Sequence, residues 1–202
     1  MDWQRLQVAP DGTHHVHRGA PAYPQRFEQV LKFHSPGLAP VRADGLAWHI
    51  GANGEPAYPR RFLQTLGFYG GLAAVQDSAG WFHIDPVGDA VYPEKHAWCG
   101  NFQEGLCPVR LIDGRYAHIQ PDGQPVTGNT WAYAGDYRDG IAVVQRNDGL
   151  SSHIDLQGEL VHDQWLLDLD VFHKGFARAR DAAGWFHLDR SGSPAYQRRF
   201  AM

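Results

Sequence analysis

The chemistry-bearing residue that recurs in this chain is histidine. A histidine followed by a β-branched or aliphatic residue appears as His15-Val16, His49-Ile50, His83-Ile84, His118-Ile119, His153-Ile154 and His187-Leu188, at steps of 34, 34, 35, 35 and 34 residues. A polar column runs in phase with it, each member closing an apolar stretch: Arg42, Gln76, Arg110, Gln145 and Arg180. Imidazole, guanidinium and amide groups together suit a small polar or heteroaromatic molecule, because forked donors and flat faces can be held rigidly around it. Three or more neutral imidazoles also suit a divalent transition metal. On this reading His49, His83, His118, His153 and His187, with Arg42, Arg110 and Arg180, form a ligand-binding set. The plainer reading is structural: a residue present in every unit satisfies a buried polar group while its ring packs on an aromatic neighbour. For the column as such, the structural reading is the stronger.

Residues that break the repeat point elsewhere. The stretch VHDQWLLDLDVFHKG, residues 161–175, carries His162, Asp163, Asp168, Asp170, His173 and Lys174 where other units have a tyrosine-proline strand and a neutral loop. A carboxylate beside an imidazole orients a base or completes a metal shell. His173, Asp170, Asp168 and His162 are therefore the catalytic candidates. The competing reading is an exposed charged loop whose members never meet. His96 is a second irregularity, standing where other units have Phe27, Phe62 and Trp131, close in sequence to Trp98 and Cys99. Searches for HxxxH, CxxC, phosphate-cradling glycine loops and a GxSxG elbow are negative. Substrate, reaction and metal identity stay open, as does whether the chain is an enzyme.

The elements that must position these residues follow from two further columns. Gly37, Gly71, Gly105, Gly140 and Gly175 each open an apolar stretch, as in GLAPV, GLAAV and GIAVV, and GAPAYPQRF, GEPAYPRRF, GDAVYPEKH and GSPAYQRRF mark a third position. Within one unit, residues 72–76 read as a strand, 77–80 as a turn, 81–85 as a second strand and 86–89 as another turn before a brief third strand at Val91-Tyr92. The two-residue period sets Trp81, His83 and Asp85 on one face and Phe82 with Ile84 on the other, so the aliphatic face is expected in the core and the histidine half-buried beside tryptophan. No helical period of useful length is present.

These motifs resemble the WG-repeat family: a Gly-Trp start, an I-D-x-x-G turn, a tyrosine-proline strand and an F-x-x-G-L-A-x-V strand, over nearly the whole chain. The family's unit usually lacks the histidine before I-D, and units four and five lose the aromatic pair, reading RYAHI and LSSHI. What the resemblance implies is an all-β array of repeats used for protein interaction. The histidine-rich unit resembles modules joined to methyltransferase domains and a free-standing protein of a toxoflavin-type pathway, which would imply an enzyme of specialised metabolism.

The expected architecture is all-β, a single domain of six tandem meanders sharing one continuous apolar interior. The units span about 12–45, 46–79, 80–113, 114–148, 149–183 and 184–202, the last completed by residues 1–11 because Val8 to Gly12 match the end of a glycine-led strand. That exchange favours closure into a small propeller-like ring, with an open curved β array as the alternative.

With 18 basic and 22 acidic residues, a net charge of −4 and a pI near 6.3, no global basic field calls for nucleic acid. The pairs Arg60-Arg61 and Arg198-Arg199 are weak grounds for it. The opening MDWQRLQVAP has neither a basic run nor an apolar h-region, and no segment is long enough to span a bilayer, so a cytoplasmic protein without membrane contact is expected. Cys99 and Cys107 do not make a disulfide framework and are expected as reduced thiols. The partner is then a small polar or heteroaromatic molecule, or, on the second hypothesis, a protein anchored by tryptophans such as Trp131 and Trp165.

Overall fold

Turn chemistry dictates the local structure. In the turn after residues 72–77, the Asp77 carboxylate accepts the N–H of Ala79 at 2.8 Å and Gly80 takes φ +137°, which returns the chain into the next strand. The computed structural model describes residues 1–201, and in them eighteen short strands form six three-stranded antiparallel sheets. The chain divides into two compact units, Met1–Asn101 and the remainder from Phe102.

In the first unit, β1 (Gln7–Val8), β2 (His15–His17) and β3 (Ala20–Pro21) make one sheet, and β4 (Gln29–Val30), β5 (Ala39–Ala43) and β6 (Leu46–Ile50) the next. A third sheet joins β7 (Gln64–Tyr69), β8 (Leu72–Asp77) and β9 (Gly80–Ile84), and β10 (Trp98–Cys99) follows. In the second unit β11 (Cys107–Arg110) pairs with β12 (Tyr116–Ile119). Two full sheets follow, β13 (Tyr133–Ala134), β14 (Ile141–Gln145) and β15 (Ser151–Asp155), then β16 (Asp168–Leu169), β17 (Phe176–Asp181) and β18 (Gly184–Asp189). The middle strand of a typical sheet is the glycine-led stretch, and the histidine strand pairs with it, as Pro40↔His49, Ala74↔His83 and Val143↔His153.

Three features describe the packing. First, the histidine strand is not half-buried but buried on both faces: in β9 Trp81, Phe82, His83 and Ile84 are all buried. Consecutive sheets pack face to face, so a strand inside the stack has no solvent side. Second, apolar side chains collect in layers between neighbouring sheets. Tyr23 packs with Val30, Ala39, Val41 and Ile50, and Ile141 with Leu166, Phe172, Ala177, Phe186 and Leu188. Third, the N-terminal strand pairs locally, within the first sheet. Val8 pairs with His15 across a tight turn, and the last sheet is built wholly from residues 168–189. A partner seven residues away costs little loop entropy to reach.

Glycine matters where sheets meet. Gly88, at φ +89°, lies under the ring of Tyr58, and a Cβ there would stand 2.6 Å from Tyr58 Cγ. Backbone conformation and close approach both exclude a side chain at that position.

Candidate functional site

Strand alternation turns the column histidines from His15 to His153 toward the sheet that follows their own. His49 leaves β6 with Nε2 2.8 Å from the carbonyl oxygen of Leu66 in β7, Nδ1 2.5 Å from the hydroxyl of Tyr58, and its ring 4.5 Å from the ring of Phe68. His15 repeats this with Leu31 at 2.8 Å, Tyr23 at 2.5 Å and Phe33 at 4.4 Å. His83 bonds the Gly100 carbonyl at 3.0 Å and the Tyr92 hydroxyl at 2.5 Å. A carbonyl only accepts, so Nε2 carries the proton, Nδ1 is the acceptor and the tyrosine donates to it. Burial holds these rings in the neutral form: the His49 and His83 imidazoles are pushed down to about 4, chiefly by desolvation. Desolvation acts the other way on their partners, raising Tyr23 to about 12 and Tyr58 further. Each histidine is a clasp between two sheets.

The variant units obey the same logic. His118 donates to the Gly135 carbonyl at 2.8 Å and its ring lies 4.7 Å from Tyr137, while Thr127 occupies the position that tyrosine holds elsewhere. His153 donates to the Asp170 carbonyl at 2.9 Å, stacks 4.4 Å from Phe172 and meets His162 Nε2 at 2.9 Å through Nδ1. His162 therefore replaces the tyrosine as donor, and its own Nδ1 accepts the N–H of Gln164 at 3.3 Å. His187 keeps its tyrosine, Tyr196 at 2.6 Å, but is exposed.

Among the catalytic candidates, Asp170 contributes its main-chain carbonyl to His153, and its carboxylate pairs with Arg178 at 2.8 Å. His173 is exposed in the turn before β17, Asp168 lies in β16 opposite Arg180, and His162 is buried in its clasp. The structure brings His162 to His153 and places His173 apart in its turn. Arg42 and Arg110 are exposed, and Arg42 stands 3.9 Å from Glu28. Arg180 is half-buried with its guanidinium 5.5 Å from the ring of Trp185. Their cross-strand partners, Ala47, Tyr116 and Trp185, each lie two residues before the column histidine. The imidazoles of His15, His49, His83, His118 and His153 thus each sit in a separate inter-sheet layer, while His187 is exposed. Among the described residues, no group of three or more His, Cys, Asp or Glu is placed to hold a metal. His96 is buried with Nε2 lacking a hydrogen-bond partner, and the Cys99 thiol is pushed up to about 12 by burial.

The second unit carries a cleft of about 620 Å³, bounded by Gln103 and Glu104, by Tyr133 to Arg138 and by Leu169 to Val171. Of its lining residues the sequence singled out Asp170, as a catalytic candidate, and gave Asp136 and Arg138 no role. The available signal is that Asp136 and Arg138 flank Tyr137 where other units have Lys32/His34, Gly67/Tyr69, Asn101/Gln103 and Val171/His173.

No family model matches the chain, and no curated protein matches it in sequence. Among solved structures it is similar to the crystal structure of BamB from Moraxella catarrhalis, at 15% identity over 97% of this chain and 73% of that one, with a TM-score of 0.54. It is also similar to KlHsv2 with loop 6CD replaced by a Gly-Ser linker, at 9% identity over 79% and 62%, with a TM-score of 0.51. The WD40 β-propeller domain of Doa1 aligns at 14% identity over 96% and 78%, with a TM-score of 0.44. The fold is a propeller-like β-repeat.

In those terms each sheet is a blade, and the histidine ties one blade to the next. The basic pairs serve the same packing. Arg61 stacks 4.2 Å from Trp48, and Arg199 stacks 3.7 Å from Phe186 while pairing with Asp181 at 2.8 Å. Trp131 and Trp165 are half-buried with centroids 6.2 Å apart, and Arg146 covers Trp165 at 4.1 Å. Among the described residues no helix is long and apolar enough to cross a membrane.

Proposed function

We propose that the chain is a non-catalytic protein-interaction module of the WG-repeat kind, in which the histidines hold the scaffold and the surface does the binding. The observation that carries this reading is the use of both ring nitrogens of His15, His49, His83 and His153 in bonds between blades. A catalytic or metal-binding imidazole needs a nitrogen free for substrate or metal. Aromatic groups are available at the surface: Tyr133, 49% exposed, and the Trp131 and Trp165 pair with Arg146 stacked on it and paired with Asp148. Such residues dominate protein interfaces energetically.

The test is quantitative co-purification with the tagged chain and with a Trp131→Ala/Tyr133→Ala variant, beside a thermal-shift screen against divalent metals and heteroaromatic compounds. A partner recovered in stoichiometric amount with the native chain, lost with the variant at unchanged melting temperature, is the expected result. A shift of several degrees with one compound or metal, without such a partner, overturns it.

A further inference from the structure

Asp136 and Arg138 are exposed side chains flanking Tyr137, which is 2% exposed. They stand two residues apart in the stretch between β13 and the bridge from Arg138 to Ile141. Both line the cleft. The other acids there are engaged: Glu104 accepts the N–H groups of Asp139 and Gly140 at 2.8 and 2.7 Å, and Asp170 pairs with Arg178. Asp136 and Arg138 make no side-chain hydrogen bond or ion pair, with each other or with any other described residue. The cleft walls strip water from the Asp136 carboxyl and raise it above the usual carboxylate range, as expected of an acid with no cation beside it.

From this geometry we infer that the cleft receives an extended segment of a protein partner carrying one basic and one acidic residue two positions apart, the basic side chain on Asp136, the acidic one on Arg138, and Tyr133 flanking them. This rests on the interaction-module reading and names the partner's chemistry. Charge complementarity selects the pair, and the two-residue separation of Asp136 and Arg138 along the cleft wall sets the spacing. Recognition runs through the side chains of Asp136, Arg138 and Tyr133, all of which line the cleft.

The test uses the full chain, labelled with ¹⁵N, titrated with nine-residue threonine-valine peptides bearing a central Arg-Val-Glu, Glu-Val-Arg or Gln-Val-Gln, read at the amides of Asp136 and Arg138. At least one charged peptide binds tenfold or more tighter than the neutral one. Asp136→Asn and Arg138→Gln each remove most of that advantage. The loss from Asp136→Asn disappears when the peptide's arginine is already glutamine, which identifies the contacting pair. Both variants change exposed side chains, so their melting temperatures serve as the folding control.

Equal binding of charged and neutral peptides, additive losses, or saturation of the same shifts by free spermidine at the peptide's concentration overturns the inference. If the peptides fail while the native chain still captures a partner through Trp131 and Tyr133, the cleft assignment falls and the module reading stands.

Discussion

At the scale of one residue, an imidazole between a hydroxyl and a carbonyl has no choice of tautomer. In His49 the Leu66 carbonyl demands the proton on Nε2, which leaves Nδ1 as an acceptor that only the Tyr58 hydroxyl reaches, and both groups are buried. Tyr58→Phe keeps the ring and removes the donor, so a buried acceptor is left unpaired at a cost of about 1–3 kcal/mol. Urea denaturation measures it, and a loss within experimental error would show that the hydroxyl contributes packing alone. The fifth unit supports the donor requirement: His162 replaces tyrosine, and its hydrogen bonds are satisfied only if Nε2 donates to His153.

At the scale of elements, the clasp joins strands that no ladder joins. His49 belongs to β6 and its acceptor to β7, so truncating it opens a cavity between sheets, orphans the Tyr58 hydroxyl and leaves the Leu66 carbonyl only the Thr65 hydroxyl at 3.2 Å. His49→Ala is expected to cost about 3–5 kcal/mol. His187→Ala, at the exposed edge of the last sheet where only the Tyr196 bond is made, is expected to cost no more than about 1 kcal/mol. Equal losses in thermal and urea denaturation would refute the clasp as a link between sheets.

The same contrast explains what the sequence could reveal. Strands, turns and the all-β repeat were legible because they depend on near neighbours: the two-residue period around His83 and the glycine and tyrosine columns are side-chain signals. The clasp's second half was not legible. Its acceptors, Leu31, Leu66, Gly100, Gly135 and Asp170, share no side-chain character because each gives only a carbonyl. Nor was the cleft, since the oddity of Asp136 and Arg138 gains meaning only when residues 103–104 and 169–171 stand around them.

At the scale of the molecule, the clasps tie stability to pH from both sides. Burial depresses His15, His118 and His162 as well as His49, His83 and His153, the last three to about 4 against an ordinary value near 6.5. Above pH 6.5 folded and unfolded chains bind the same protons at these sites and the clasps hold in full. As pH falls, the unfolded chain takes up protons that the folded one refuses, so stability declines below about 6.5 and is lost as pH passes the folded value near 4. Near pH 5 the three deepest imidazoles alone make stability fall by about 3–4 kcal/mol per pH unit, against a total of roughly 5–15 kcal/mol for a typical domain. On the alkaline side Tyr23 is raised to about 12 by burial, so its contribution is whole below pH 10 and declines above it. Urea midpoints measured from pH 4 to 11 should therefore show a plateau between about 6.5 and 10, with a steep acid limb that begins before the carboxylates titrate. A midpoint constant down to pH 4.5 would mean that the imidazoles are not held neutral by the fold, and the clasp would fail as the source of its cohesion.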